Sequence, residues 1–194
     1  MTPPFCCDTK LAGLRIMGLP HDFYGIMQRS VEVTAIGPSS LRNQGASGVI
    51  NAAQEFLAVL DLSELSTSTK GDFPSHIDTA THSLLLALPK EAQNWGAARK
   101  AVNLFLRDAL YNHYLTTKYK LHRIEEWLEI PLDRAVARGL KKLGNKAELP
   151  VWPGLKKLSP EISAQFQSFA QHIARERGLA RVHLDIYLWL EERR

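Results

Sequence analysis

Asn94-Trp-Gly-Ala-Ala-Arg-Lys-Ala-Val-Asn-Leu-Phe-Leu-Arg-Asp108, and after a gap Ile130-Pro-Leu-Asp-Arg-Ala-Val-Ala-Arg-Gly-Leu-Lys-Lys-Leu-Gly144, decide how this chain is read. In the first stretch Ala98, Ala101, Val102, Phe105, Leu106, Ala109, Leu110 and Tyr114 recur at helical spacing. They predict one long helix from Glu91 to about Lys118. The second stretch has Pro131 near its start and Gly144 at its end, and predicts a helix over 131–143. Each helix carries a residue of chemical interest near its start, Lys100 and Asp133, and both stretches are crowded with Arg and Lys.

Outward from these two helices the same period continues. His76 to Leu88 reads as a helix stopped by Pro89, and Leu121 to Leu128 as a short one. Asn145 to Pro160 reads as a loop. Ser159-Pro160 opens a helix that runs to about Arg177, Gly178 breaks it, and Ala180 to Glu191 forms the last one. Upstream, Ser39 or Ser40 caps a helix reaching Leu60, although Gly45 and Gly48 weaken its beginning and favour a start nearer Ser47. Ser63 to Ser75 reads as a polar linker. Residues 1–38 are broken by Pro3, Pro4, Gly13, Gly18, Pro20, Gly25 and Gly37, and read as an irregular arm with Val31–Ile36 as a short strand or extended piece. The expected architecture is all-α: one compact domain of six to seven helices over 39–194, preceded by that arm.

Bulk properties narrow the class. A chain of 194 residues with 45% hydrophobic content suits one domain with a sizeable core. No run of about 18 apolar residues marks a membrane span, and Met1-Thr-Pro-Pro-Phe-Cys-Cys-Asp8 lacks the pattern of a secretory signal. The two cysteines, Cys6 and Cys7, are adjacent and ill-placed to bridge each other, which points to a reducing, cytoplasmic setting. No phosphate-cradling glycine loop or nucleophile-elbow motif is present. His76 and His82 lack a third ligand nearby, so neither a metal nor a cofactor is expected.

The net charge of +4 is unevenly spread. Residues 1–94 hold 6 Lys and Arg against 9 Asp and Glu, residues 95–146 hold 11 against 5, and residues 147–194 hold 7 against 6. A central segment with that excess suits a phosphate backbone, although a solvated helical face has the same composition.

Lys100 and Asp133 can be read as chemistry or as structure. A helix N-terminus and the neighbouring Arg99 both favour loss of the ammonium proton, which an amine nucleophile requires. The plain alternative is a solvent-facing lysine. An aspartate at a helix start is an ordinary cap, and the same position suits a carboxylate that stabilises a cationic transition state.

Taken together, Gly96-x-x-x-Lys100-x-x-Asn103 and then Asp133-x-x-Val136-x-Arg138-x-Leu140-x-x-Leu143-Gly144 resemble the helix-hairpin-helix DNA glycosylase superfamily. The Lys-to-Asp gap is similar to that of the archaeal 8-oxoguanine glycosylase branch. The likeness covers residues 94–144; the hairpin has one glycine, and no four-cysteine iron–sulfur motif accompanies it. The resemblance implies a DNA-repair enzyme acting on duplex with a flipped-out base. Lys100 would attack the anomeric carbon and form a Schiff base that permits strand cleavage. Asp133 would stabilise the sugar cation or take the amine's proton. Gln44 would fill the gap left by the base. Asn103 belongs to the matched motif, and Arg99, Arg107, Arg134, Arg138, Lys141 and Lys142 would lie near DNA. Trp95 reads as a core plug, and a monomer is expected.

Two other readings stand beside this one. Arg107-Asp-Ala-Leu-Tyr-Asn-His113 resembles the Arg/His signature of HEPN-type ribonucleases, whose metal-independent site is shared by two protomers. The basic segment alone would also suit a non-enzymatic helical protein that binds nucleic acid. His183-Leu-Asp185 reads as amphipathic structure.

Overall fold

The computed structural model describes residues 22–144 and 149–192. Among them the regular elements are all helical, with no strand. Nine α-helices follow in order: α1 Phe23–Ala35, α2 Val49–Ala58, α3 Leu62–Thr67, α4 Phe73–Ala87, α5 Trp95–Tyr111, α6 His113–Tyr119, α7 Arg134–Leu143, α8 Pro160–Glu176 and α9 Leu184–Glu192. Short 3-10 turns link several of them. No helix among the described residues is long and apolar enough to cross a membrane.

The all-α reading holds, and the elements are more numerous and shorter than the periodicity suggested. The expected arm contains α1. Asp22 caps it by accepting from Gly25 N at 2.8 Å, and Val31, Glu32 and Ala35 are buried. The β-branched residues near its end had suggested an extended piece, but packing on α2, α5 and α6 outweighs that weak preference. Residues 1–21, with Cys6 and Cys7, lie outside the described residues. The helix expected from Ser39 begins only at Val49, because Asn43, Gly45 and Gly48 adopt positive φ and turn the chain. The polar linker holds α3, capped by Asp61 on Ser63 N and Glu64 N.

The long central helix is in fact two. Asn112 ends α5 and, accepting from Leu115 N, begins α6. Residues 121–128 form two 3-10 turns rather than an α-helix. Gly144 ends α7 in an extended conformation, without the left-handed geometry its position suggested. Ser159-Pro160 does open α8, and Gly178, at φ 66°, turns the chain after it.

Two apolar clusters build the interior. The larger joins α1 to α6 around Ile36, Leu57, Ile77, Leu84 and Phe105. The smaller joins α7, α8 and α9 around Ile130, Val136, Leu140, Phe166, Leu184 and Leu188. Helix α5 runs between them and is buried along almost its whole length. Its small residues permit this. At Gly96 a Cβ would fall 2.2 Å from the Leu155 carbonyl oxygen and 2.9 Å from Leu158 Cβ. This glycine therefore lets the 154–158 segment close on the helix and does not form a hairpin turn; it is the second residue of α5. The second cluster closes in the same way at Gly139, where a Cβ would meet the Leu188 side chain at 2.8 Å.

The segment before α7 is extended and buried, so its backbone polar groups need partners inside the protein. Gln167, 4% exposed, provides two, donating Nε2 to Ile130 O at 2.8 Å and accepting from Ile130 N at 3.1 Å. Arg181 donates to Leu128 O and Trp127 O at 3.0 and 2.9 Å. Side chains from α8 and from the turn after it thus fix the strand-like piece that delivers Asp133 to α5.

Candidate active site

The seam between the two clusters carries the charged groups. Lys100 lies in the second turn of α5, with its side chain 8% exposed, and its Nζ donates to Asp133 Oδ2 at 3.0 Å. The two residues singled out from the sequence are therefore in direct contact across 33 positions. The plain reading of Lys100 as solvent-facing is excluded. The capping reading of Asp133 holds at the same time: its Oδ1 accepts from Ala135 N at 2.9 Å and Val136 N at 3.0 Å. One carboxylate thus spends one oxygen on the helix and turns the other toward the lysine. Cap geometry fixes its orientation, and its side chain keeps 35% exposure.

Along the seam, the next pair is Arg107 with Asp185. Arg107 lies seven residues from Lys100 along α5, close to a whole number of turns, so both cations share a face. Arg107 pairs with Asp185 from the first turn of α9 and with Asp108. Burial pushes the Asp185 carboxyl above its ordinary value; Arg107 opposes this, and the charge of Asp133 adds to it. Asp185 therefore belongs to the electrostatic neighbourhood of the Lys100–Asp133 pair and is not merely amphipathic filling. The junction before α9 is held by Tyr111 Oη against His183 Nδ1 at 2.8 Å and His183 Nε2 against Glu125 Oε1 at 2.6 Å.

The third network lies on the other side of α5. Arg99 donates Nε and Nη2 to the two oxygens of Glu129 at 2.8 and 2.9 Å, and Nη1 to Asp78 and Thr81 at 2.7 and 3.0 Å. Asn103 adds a bond to Glu129 at 2.9 Å. Burial works against the Glu129 charge, but the Arg99 bonds and charge, together with Asn103, win and hold its carboxyl below the ordinary range.

Four of the residues expected to meet nucleic acid are therefore internal. Arg99 and Asn103 are spent on Glu129, and Arg107 on Asp185 and Asp108. Gln44 is 4% exposed and accepts from Asn94 Nδ2 at 2.9 Å, while Asn94 itself caps α5 at Ala97 N. Gln44 braces a helix cap and is not free to fill a gap in DNA. Their sequence could not distinguish them from solvated residues, because their partners lie far along the chain. Arg134, Arg138 and Lys142 are exposed on α7 and Lys141 is half-buried, so the basic face survives on this helix. Trp95 packs against the second cluster, with the Arg99 guanidinium 5.5 Å from its ring centroid.

The two residues of the ribonuclease signature fall on different helices. Its arginine is on α5 and committed to carboxylates, whereas His113 opens α6 and stacks edge-on with Tyr114. Among the described residues no group of three or more His, Cys, Asp or Glu is arranged to hold a metal. Read from the sequence, Glu129 is passed over and Asp185 is taken only as amphipathic structure. Each sits in a stretch with no motif, and the one local hint is the position of Asp185 in a first helical turn, where acids are favoured.

No protein-family model, curated protein or solved structure matches this chain.

Proposed function

We propose that this protein excises damaged bases from DNA, with Lys100 as the amine nucleophile and Asp133 as its carboxylate partner. The single observation that carries the reading is the 3.0 Å contact between a nearly buried lysine and a partly exposed, cap-fixed aspartate. An amine must shed its proton before attacking the anomeric carbon, and Asp133 Oδ2 stands where it can receive that proton. The same carboxylate can then face the cationic sugar as the base departs. Three further features support DNA as the substrate. Asp133 caps α7, which exposes Arg134, Arg138 and Lys142 with Lys141 half-buried, so backbone-binding charge follows directly on the reactive pair. Helices α4 and α5, consecutive along the chain, pack on each other, and Lys100 lies in the second turn of α5. The order of residues 94–144 resembles helix-hairpin-helix glycosylases.

Borohydride trapping on duplexes carrying 8-oxoguanine, uracil or an abasic site tests the proposal. A covalent adduct that is lost in Lys100→Ala is the expected result. No adduct and no base release on any of these lesions would overturn it. In that case salt-sensitive DNA binding without turnover would leave a binding protein in which Lys100–Asp133 is a seam ion pair.

A further inference from the structure

A cavity of about 390 Å³ lies away from the Lys100 side of α5, between the start of α4, the 125–127 turn and the end of α8. Its size falls at the low end for small-molecule sites. One wall is aromatic and apolar: Phe73 and Trp127 lie with ring centroids 5.9 Å apart, beside Ile77. The polar side is cationic, with Arg181 inside and Lys70 and Arg175 beside it.

The distribution of countercharge is what makes these cations unusual. Arg181 bonds only carbonyl oxygens, those of Leu128 and Trp127, and its Nη1 makes no hydrogen bond to a described residue. The buried carboxylate in the lining, Glu129, is already taken by Arg99 and Asn103. Lys70 and Arg175 make no ion pair with any described residue. Glu126 stands exposed in the same lining and is one charge against three. The Glu129 charge acts on Arg181 without a hydrogen bond between them, so the guanidinium still has a donor to offer, and such a group suits an anion.

We infer that this cavity binds a small planar aromatic anion, its ring against Trp127 and Phe73 and its carboxylate or phosphate on Arg181, Arg175 and Lys70. The inference is independent of the chemistry proposed for Lys100 and Asp133. Neither of those residues lines the cavity.

The two sources of such chemistry, an aromatic carboxylate and a nucleotide, are separated by titrating the full chain with 2-naphthoate and with AMP. Binding is read from the Trp127 indole N–H in two-dimensional NMR. The neutral partners, 2-naphthalenemethanol and adenosine, control for the ring alone. The expected result is that at least one anion binds with Kd under about 1 mM, at least ten-fold tighter than its neutral partner. The Lys70→Glu/Arg175→Glu double variant should weaken it at least ten-fold. Both rim side chains are exposed and make no hydrogen bond or ion pair with a described residue, so the variant is expected to keep its fold, checked by circular dichroism; Arg181→Lys, which keeps the charge but loses the fork, provides a second measure. Binding of neither anion, equal binding of the neutral compounds, or indifference to the rim reversal would overturn the inference. So would a nucleotide response abolished by Arg134→Glu/Arg138→Glu and untouched by the rim variant, which would place the ligand on α7.

Discussion

Arg99 and Lys100 are neighbours on α5, with side chains equally inaccessible at 8% exposure, and they serve opposite ends. All three Arg99 nitrogens are used, its partner Glu129 is saturated in turn by Asn103, and Glu129 is only 14% exposed. Lys100 has one partner, and that partner is 35% exposed. Burial of the cation does not distinguish the two; closure of the network around the carboxylate does. Around Glu129 the network leaves no proton or carboxylate lone pair for an outside molecule; its one unpaired atom, Asn103 Oδ1, is buried, and Asp78, at 65% exposure, is its exposed member. The open pair keeps both within reach of the surface.

The comparison breaks most visibly in activity. Lys100→Ala is expected to remove covalent trapping altogether while the far-ultraviolet circular dichroism spectrum stays helical. Trapping that persisted would take the open pair out of the chemistry. Stability should rank the two cations the other way. Arg99→Met strands Glu129 as a buried unpaired charge, and breaking such a pair costs about 3–5 kcal/mol. Lys100→Met leaves Asp133 with two backbone donors and water, and the cost should stay near about 1 kcal/mol. Urea unfolding of the two variants measures the difference directly. Equal losses would mean that both networks are structural.

Asp133 sharpens the same point, because its two oxygens have separate duties. Asparagine caps a helix as well as aspartate, whereas alanine gives up about 1 kcal/mol. Either substitution also leaves Lys100, 8% exposed, without its one partner, so both should unfold below the parent, Asp133→Ala by about 1 kcal/mol more than Asp133→Asn, while neither releases base. If Asp133→Asn retained full base excision, the carboxylate would be a cap and no more.

These contrasts explain which parts were legible in the sequence. Lys100 and Asp133 stood out because helix starts leave local marks: apolar periodicity, a proline, a terminal glycine. The all-α class followed from the same periodicity. Arg99, Asn103, Arg107 and Gln44 gave no mark of being internal, because an arginine paired across 30 or 78 positions reads like one in solvent. Their acidic partners, Glu129 and Asp185, are placed by tertiary packing. Asn112 was equally silent. A single polar residue in an amphipathic run splits α5 from α6 only because its side chain captures Leu115 N. Helix α1 was hidden for a different reason: its β-branched residues favour strand locally, and burial against three other helices decides otherwise.

Glu32, on that same helix, is a third arrangement, neither closed nor open. It is 2% exposed; Arg29 Nη1 is 3.8 Å from its Oε1, and its Oε2 has no hydrogen-bond partner. Burial raises its carboxyl to about 7; Arg29 opposes the rise, and the charge of Glu55 adds to it. The folded chain therefore holds a proton that the unfolded chain releases near 4.5. The stabilising contribution of this group is fully present below about pH 4.5 and is lost as pH rises to about 7, with no further change above. Glu32→Gln keeps the shape without the ionisation. The variant should match the parent near pH 4.5 and exceed it at pH 8 by on the order of 1 kcal/mol or more, since a tenfold change in proton affinity is worth about 1.4 kcal/mol. Taking the difference between the two proteins at each pH, from urea midpoints, removes every other titrating group. A difference that stayed constant from pH 4.5 to 8 would mean that Arg29 pairs with Glu32 well enough to keep it charged, and the third arrangement would join the closed one.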